Sequence, residues 1–417
     1  MLHSLRAFRY PNFRLFFYGQ SVSLLGTWIQ QVAMSWLVYR LTGSAFLLGL
    51  TAFASQVPIL LFAPLGGIWA DRFDRRKLLI ATQLLAMVQA LALSLLTYTG
   101  LIQVWHIITM ATVLGVVMAV DTPIRQSFVP EMVPSRKDLP AAITMNGFMQ
   151  NAGRMVGPTL AGVLIAMSSE AFCFLANGIS KIAVVAAIVM MNIETRTTKS
   201  GATRLWSGLT EGAVYAWNLM PARLLLPTVA LVSFMASPYQ ALMPIFASEV
   251  FAGDARTLGL LIGAAGLGGV SALIYLASRR DVRGLSRLIV AGAGMSGGSL
   301  MVFAESKLLW LSLISITVTG FGIILVGMGV SLILQTIVAD EKRGRLMSFF
   351  TVAFLGMHPL GSLAAGSLAH AIGAGHTLFI GGACCVAGAV VLYRQLPRLR
   401  ASIREMYTQV GVIERPQ

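Results

Sequence analysis

The chain has 417 residues, of which 56% are apolar and 11% are charged, and its mean hydropathy is +0.77. Soluble domains carry about 25% charged residues, so this composition excludes a soluble globular protein. Apolar runs of about 20 residues continue from end to end, which excludes a single membrane anchor and differs from the short alternating segments of a β-barrel. The sequence therefore predicts an all-α membrane protein with many spans.

Twelve candidate spans follow one another, and an even number places both termini on one side of the membrane. They are predicted at residues 14–39, 46–69, 77–98, 103–128, 139–165, 171–192, 224–248, 257–278, 285–304, 308–335, 345–370 and 375–394. The longest polar stretch lies in the middle of the chain. The predicted organisation is an N-terminal six-helix bundle (1–192), a cytoplasmic linker (193–223), a C-terminal six-helix bundle (224–394) and a cytoplasmic tail (395–417).

Apolar residues recur at helical spacing inside the linker: Trp206, Leu209, Ala213, Trp217 and Met220. This stripe predicts a helix in the membrane interface, a depth that Trp prefers. A short soluble linker helix is the alternative interpretation.

Lys and Arg number 31 and Asp and Glu number 16, which gives a net charge of +15. Nearly all basic residues fall in one set of loops, and the other set holds only Arg40, Arg256 and Lys307. Loops rich in Lys and Arg stay in the cytoplasm, so we expect both termini to be cytoplasmic. The same rule explains the positive charge without a nucleic-acid partner.

The two halves of the chain are related to each other. The segment GPTLAG at 157–162 reappears as GSLAAG at 361–366, and Gly115 corresponds to Gly320 at nearly the same offset. A stable offset of about half the length indicates an internal duplication. Two related six-helix bundles are typical of transporters that rock around a site near the midplane of the membrane.

The loop between spans two and three carries the most specific motif, here named the loop motif: Gly67, Asp71, Arg72, Arg75 and Arg76. It resembles the G-x-x-x-D-R-x-G-R-R/K signature of the major facilitator superfamily and departs from it at Asp74, where the signature usually has Gly. The resemblance implies this superfamily's twelve-helix fold.

The loop motif is interpreted as a conformational latch. We expect Asp71 to lie at the N-terminus of span eleven, where free N–H groups and the helix dipole favour an anion. Arg75 is expected to pair with an acid at the cytoplasmic end of span four, and Asp121 is the best candidate. A plain positively charged cytoplasmic loop is the alternative, although such a loop would not need Asp71.

A second motif lies in span five and consists of Gly153, Gly157, Pro158 and Gly162. It resembles the antiporter motif of exporters in this superfamily. Small residues four positions apart let helices approach closely, so ordinary helix packing is the alternative.

Further segments narrow the branch of the superfamily: NFRLFFYGQ at 12–20, DTPIR at 121–125 and NAGR at 151–154. With the two motifs, they look like the bacterial branch of enterobactin exporters, macrolide efflux pumps and lysophospholipid transporters. This resemblance covers nearly the whole chain and is specific for the fold but not for the substrate.

Polar residues inside spans are costly in a bilayer and mark candidate substrate contacts. The candidates are Gln20, Thr27, Gln31, Arg154, Tyr239, Gln240 and His358. Arg154 either receives an anionic substrate group or ties carbonyls and Gln side chains of span one together. His358 could titrate near neutral pH, but a packing or hydrogen-bonding role is favoured for it. Lys181, in span six, is expected either to point toward polar groups inside its bundle or to be neutral, since a buried Lys loses its proton readily, rather than to contact substrate.

The predicted function is export of an amphipathic small molecule that can be anionic, by alternating access and proton coupling, from the bacterial cytoplasmic membrane. A lysophospholipid carrier, with or without ion coupling, is the alternative. No nucleotide-binding loop, zinc-protease motif or catalytic triad is found, and the cysteines form no metal motif, so we expect no enzyme, cofactor or metal site. The expected surroundings are the lipid bilayer, and the protein is expected to act as a monomer.

Overall fold

The computed structural model describes residues 4–135, 137–193, 217–279, 284–338 and 340–409, and every regular element in these ranges is helical. The α-helices are α1 (Pro11–Thr42), α2 (Ala45–Arg72), α3 (Arg75–Tyr98), α4 (Val104–Phe128), α5 (Leu139–Met167), α6 (Glu170–Met190), α7 (Met220–Met235), α8 (Tyr239–Ile245), α9 (Ala255–Ser278), α10 (Leu285–Glu305), α11 (Leu309–Ile337), α12 (Asp340–Thr351), α13 (Met357–Ile372) and α14 (Ala374–Gln409). Short 3₁₀ turns lie at Ser4–Arg9 and Val129–Met132.

Ten helical stretches within the described ranges are long and apolar enough to cross a membrane. The other two predicted spans correspond to α1 and α5, which have 32 and 29 residues and contain more polar side chains. The predicted fold class, an all-α membrane protein of two related six-helix bundles, is confirmed. The two more polar helices hold all four candidate substrate residues of the N-terminal half, namely Gln20, Thr27, Gln31 and Arg154.

Local sequence signals set the turn between α1 and α2. Gly43 has a φ of 59° and its N–H donates to the carbonyl of Tyr39, which ends α1. Ser44 then accepts a 3.3 Å hydrogen bond from the N–H of Leu47 and begins α2. A left-handed Gly followed by a Ser cap allows this short connection.

Two of the predicted spans are interrupted helices. In span seven, α7 ends before Pro238, and Pro244 in α8 is followed by a π-helical turn at Phe246–Val250. In span eleven, a π-helical turn at Val352–Gly356 precedes Pro359. Proline lacks the N–H that the α-helical ladder needs, and π turns accommodate the change in hydrogen bonding.

The chain forms two compact units. The first contains Met1–Gly201 together with Met243–Gly263, and the second contains Ala202–Leu242 and Ala264–Gln417. In the first unit, α1 packs on α5 and α6, and α3 packs on α4 and α6. In the second unit, α7 packs on α13 and α14, and α10 packs on α11 and α14. The same neighbours recur within each unit, as an internal duplication requires.

The last helix continues well past the predicted end of span twelve at residue 394 and reaches Gln409. Leu396, Leu399, Ile403 and Tyr407 are buried along this extension. Their helical spacing continues the packed face beyond Pro397, so most of the predicted tail is helix.

The predicted interfacial helix of the linker falls largely on residues 194–216, which lie outside the described residues. Its stripe residues Trp206, Leu209 and Ala213 are among them.

Candidate functional site

Side-chain amides form a hydrogen-bonded chain through the interior of the first unit. Asn177 Nδ2 donates to Gln30 Oε1 at 2.7 Å, and Gln30 Nε2 donates to Gln89 Oε1 at 2.9 Å. Gln89 in turn donates to the carbonyl of Met110 at 3.1 Å. All three amides are buried. Because these three buried amides bond to one another, they join α1, α3, α4 and α6 and are not available to a substrate.

The glycines of the span-five motif bring α5 close to α1. A Cβ on Gly153 would lie 2.8 Å from Leu24 Cδ2, and a Cβ on Gly157 would overlap the Cβ of Trp28. A methyl group at Gly157 would therefore force the helices apart, whereas the flexible end of Leu24 could move away from one at Gly153. Close approach is the usual role of small residues between membrane helices.

The same motif also contacts α9 within the first unit. A Cβ on Gly162 would lie 2.5 Å from the carbonyl oxygen of Ala255, and Gly259 packs against the carbonyl of Pro158. The motif therefore presents two faces: Gly153 and Gly157 face α1, and Pro158 and Gly162 face α9.

Arg154 lies one turn before Pro158 and is exposed. Its guanidinium carbon is 5.8 Å from the ring centroid of Trp28, a cation–π arrangement. The described residues supply it with no hydrogen bond and no ion pair. Trp28 Nε1 is buried without a hydrogen-bond partner in the described ranges, and Gln31, one turn further along α1, is exposed. Arg154, Trp28 and Gln31 are here named the α1–α5 surface.

Thr27 lies beside this surface and accepts a hydrogen bond from a buried cation. Lys181 Nζ donates to Thr27 Oγ1 at 2.8 Å and to Ser23 Oγ at 2.9 Å. Lys181 is 1% exposed, so the prediction that it points toward polar groups inside its bundle agrees with these contacts. Thr27 itself is half-buried.

The predicted pairing of Arg75 with Asp121 is wrong, because Glu131 takes that position. Arg75 Nη1 lies 2.6 Å from Glu131 Oε1. Glu131 belongs to the 3₁₀ turn that extends α4, and this turn brings it beside the first residue of α3. Asp121 comes seven residues before the end of α4 at Phe128, about 10 Å further from that end of the helix, since each helical residue rises 1.5 Å.

Asp121 has other partners deeper in the bundle. Its Oδ1 accepts hydrogen bonds from Thr82 Oγ1 at 3.0 Å and from Gln83 Nε2 at 2.7 Å. Arg125 Nε lies 3.6 Å from its Oδ2. Asp121 is fully buried, so this carboxylate is an interior charge of the first unit.

Arg76 and Asp74, close to the start of α3, each cap the end of a helix. Arg76 donates to the carbonyls of Ile188 at 3.1 Å and Val189 at 2.6 Å at the C-terminal end of α6. Asp74 accepts hydrogen bonds from the N–H groups of Arg76 and Lys77 and has a φ of −62°, so it begins α3 without needing glycine.

The remaining positions of the loop motif lie at the end of α2. Arg72 is exposed and is the last residue of the helix. The surroundings of Gly67 and Asp71 are outside the described part of the chain, so their predicted latch role stays a prediction.

The other substrate candidates differ in exposure. Gln20 in α1 is 3% exposed and does not line an open surface. In the second unit, Gln240 Nε2 donates to the hydroxyl of Tyr239 at 3.2 Å, and Tyr239 is 3% exposed. His358 in α13 is half-buried, and its carbonyl accepts a hydrogen bond from Ser362 at 3.0 Å.

Sequence reasoning missed two polar contacts at the predicted outer end of the first unit. Tyr39 donates to Glu249 at 2.5 Å, and Arg40 Nε lies 2.8 Å from Glu170 Oε1. The sequence does carry a signal for these contacts. Tyr39 and Arg40 are adjacent at the end of span one, and the acids Glu170 and Glu249 lie at the predicted outer ends of spans six and seven.

The phenol of Tyr10, just before α1, donates to Asp138 Oδ2 at 2.8 Å. This hydrogen bond to a carboxylate raises the pKa of Tyr10, because it favours the protonated phenol. It ties the start of α1 to the start of α5.

A duplicated all-helical membrane chain with polar side chains inside its spans fits the class of secondary transporters of the major facilitator type. The chain belongs to the family described as transmembrane secretion effector, whose sequence profile matches residues 3–409. The predicted superfamily and the predicted transport role are confirmed by this match.

Two relatives align with almost the whole chain. It is 27% identical to the staphyloferrin A transporter of Staphylococcus aureus over 94% of this chain and 98% of the relative. It is 25% identical to macrolide efflux protein A of Streptococcus pyogenes over 92% and 96%. A mutant of a peptide transporter of the POT family, solved in complex with sulfate, matches with a TM-score of 0.73 and 12% identity, covering 94% of this chain and 96% of that one. The structural match supports the fold alone.

Proposed function

We propose that this protein exports an amphipathic, anionic small molecule of the siderophore or drug class across the bacterial cytoplasmic membrane. Export proceeds by alternating access of the two six-helix bundles, in exchange for protons, with both termini in the cytoplasm and the protein acting as a monomer. The names of the two relatives support a siderophore or a drug as cargo. The α1–α5 surface supports the anionic charge.

The proposal rests on the position of Arg154 inside a span and on the availability of its guanidinium donors. A charged side chain inside a span costs about 2.5–3.5 kcal/mol on insertion scales, so it needs a compensating role. A purely structural Arg154 would bond to carbonyls or to Gln side chains of α1, but Gln30 is bonded to Gln89 and Asn177 instead. The planar guanidinium keeps its donors available for a carboxylate, catecholate or phosphate.

Trp28 complements the charge of Arg154. One face of its ring lies under the guanidinium, and its buried Nε1 is a hydrogen-bond donor without a partner in the described ranges. An aromatic surface beside a cation suits a molecule that has both an apolar body and a negative group.

The loop motif supplies the proposed latch. Arg75, held by Glu131, and Arg76, which caps α6, fix the start of α3 within the first unit. Asp71 is proposed to hold one conformation of the transport cycle through the N-terminus of span eleven.

Inverted membrane vesicles with an acidic interior test this function. A quenched pH-sensitive dye reports proton release when staphyloferrin A, its methyl-esterified form, erythromycin, ethidium or lysophosphatidylglycerol is added. We expect a compound with a free carboxylate to collapse the gradient in wild-type vesicles only. Arg154→Gln should lose this response at least about tenfold, and Arg154→Lys should recover part of it.

Arg256→Gln is the matched control, because it removes an arginine whose side chain is 59% exposed. It should leave transport of the anion unchanged. Equal transport of the carboxylate and its ester would contradict the anionic cargo. Movement of lysophosphatidylglycerol alone, without a change in the gradient, would replace the proposal with a lipid carrier.

A further inference from the structure

The buried ammonium of Lys181 lies close to the α1–α5 surface. Ser23, Thr27 and Gln31 are spaced four residues apart and so share one face of α1. Lys181 bonds to the first two, and the third is exposed. The ammonium therefore lies about one helical turn from Gln31, which belongs to the surface.

The described hydrogen-bond partners of Lys181 supply no negative charge. Both of its partners are neutral hydroxyl groups, and within the described residues no carboxylate lies within ion-pair distance. A buried cation is normally paired with an acid, because burial removes the water that stabilises its charge. When it is protonated, this ammonium creates a positive electric field that the low-dielectric interior screens only weakly.

Among the described residues, Asp121 and Arg125, both on α4, act on the charge of Lys181 in opposite senses. Since their side chains lie 3.6 Å apart, their fields largely offset each other at a distance. The groups facing Lys181 from α1 are uncharged. With Lys181 protonated, the net field that these three groups produce at the α1–α5 surface is therefore positive.

We propose that Lys181 is the second positive charge of the binding surface, acting through space behind Thr27, and that the exported molecule carries at least two negative charges. This inference rests on the proposed function and sharpens its substrate class to a dianion or polyanion. Arg154 would contact one anionic group, and Lys181 would favour the second without touching it, as a specificity-determining residue.

The local potential can be measured without any substrate. In a variant whose three cysteines are replaced by serine, Gln31→Cys places one thiol on the surface. Its reaction rates with a negatively charged and a positively charged methanethiosulfonate reagent are compared in detergent at low salt. We expect Lys181→Gln and Lys181→Met to lower the ratio of negative to positive reagent at least about threefold, and Lys181→Arg to preserve it.

Lys307→Gln is the matched control, because it removes an exposed lysine from a loop and should leave the ratio unchanged. Each variant is first checked for unaltered gel-filtration elution. An unchanged ratio in both Lys181→Gln and Lys181→Met would overturn the inference. If Arg154→Gln still lowers the ratio in that case, the anionic surface of the proposed function survives.

Transport then tests the charge of the cargo. In the vesicle assay, staphyloferrin A is compared with a partial ester that keeps one carboxylate. Lys181→Gln should reduce kcat/KM for the full carboxylate at least about threefold more than for the partial ester. Equal losses of kcat/KM for the two compounds would overturn the proposal that Lys181 supplies a second positive charge. A positive thiol result with no transport of any probe would instead contradict the proposed function and leave the field of Lys181 established.

Discussion

The phenol of Tyr39 donates a 2.5 Å hydrogen bond to Glu249 Oε1, across 210 positions of sequence. It joins the last turns of α1 to the π-helical turn Phe246–Val250 within the first unit. Tyr39 is 8% exposed, so little water competes for this bond. A hydrogen bond to a charged group contributes about 1.5–3 kcal/mol. We therefore expect the bond between Tyr39 and Glu249 to help hold the segment Met243–Gly263 against α1.

Removing this hydroxyl should loosen that segment. We expect Tyr39→Phe to raise the rate at which a thiol at the buried position Ala255 reacts with a maleimide about tenfold, measured as Ala255→Cys in a cysteine-free variant. Tyr10→Phe is the matched control, because it removes another phenol–carboxylate bond from the same unit. Similar rates in the two phenylalanine variants would show that the bond to Glu249 does not hold the segment.

Arg75 and Glu131 should behave as a coupled pair. Their side chains are 15% and 16% exposed and lie 2.6 Å apart, so we expect a coupling energy of about 1 kcal/mol in a double-mutant cycle. The cycle combines Arg75→Gln with Glu131→Gln and measures thermal unfolding in detergent. Arg75→Gln combined with Asp121→Asn should be additive, and coupling of that second pair would restore Asp121 as the partner of Arg75.

The crossing of α1 and α5 should not tolerate a methyl group at Gly157. A Cβ there would overlap the Cβ of Trp28, so Gly157→Ala is expected to destabilise the protein by about 1–3 kcal/mol. Gly147→Ala on the same helix is the control, because a Cβ at Gly147 meets nothing within 4 Å. Thermal unfolding of the two purified variants gives the comparison, and equal stability would mean that α1 moves aside at little cost.

The latch predicts that Asp71→Asn impairs transport while membrane expression stays near normal. The reason is that an amide lacks the negative charge that a helix N-terminus favours. Asp74→Asn is the matched control, because Asn also caps helices and should preserve both transport and the start of α3. The vesicle assay and a membrane immunoblot measure the two quantities. Full transport by the Asp71 variant would leave the loop motif as an ordinary cytoplasmic loop.

Much of the fold was determined by the sequence itself. Long apolar runs specify spans because a bilayer demands helices of about 20 residues with satisfied backbones, whatever their neighbours are. The duplication and the loop motif were visible as residue patterns at fixed offsets. The sequence also singled out Arg154 and Lys181, because charges within apolar runs stand out.

The tertiary structure decided which of these residues meet. Arg75 pairs with Glu131 rather than Asp121, Lys181 bonds to α1, and Tyr39 reaches Glu249. Each helical residue turns by about 100° and rises 1.5 Å, so an error of two residues at a span boundary moves a side chain to the opposite face, and an error of three residues moves it by about 5 Å in depth. Hydropathy fixes where a helix crosses the membrane only to within that error. Side-chain packing, such as Gly157 against Trp28, fixes the rotation and depth that bring charged groups together.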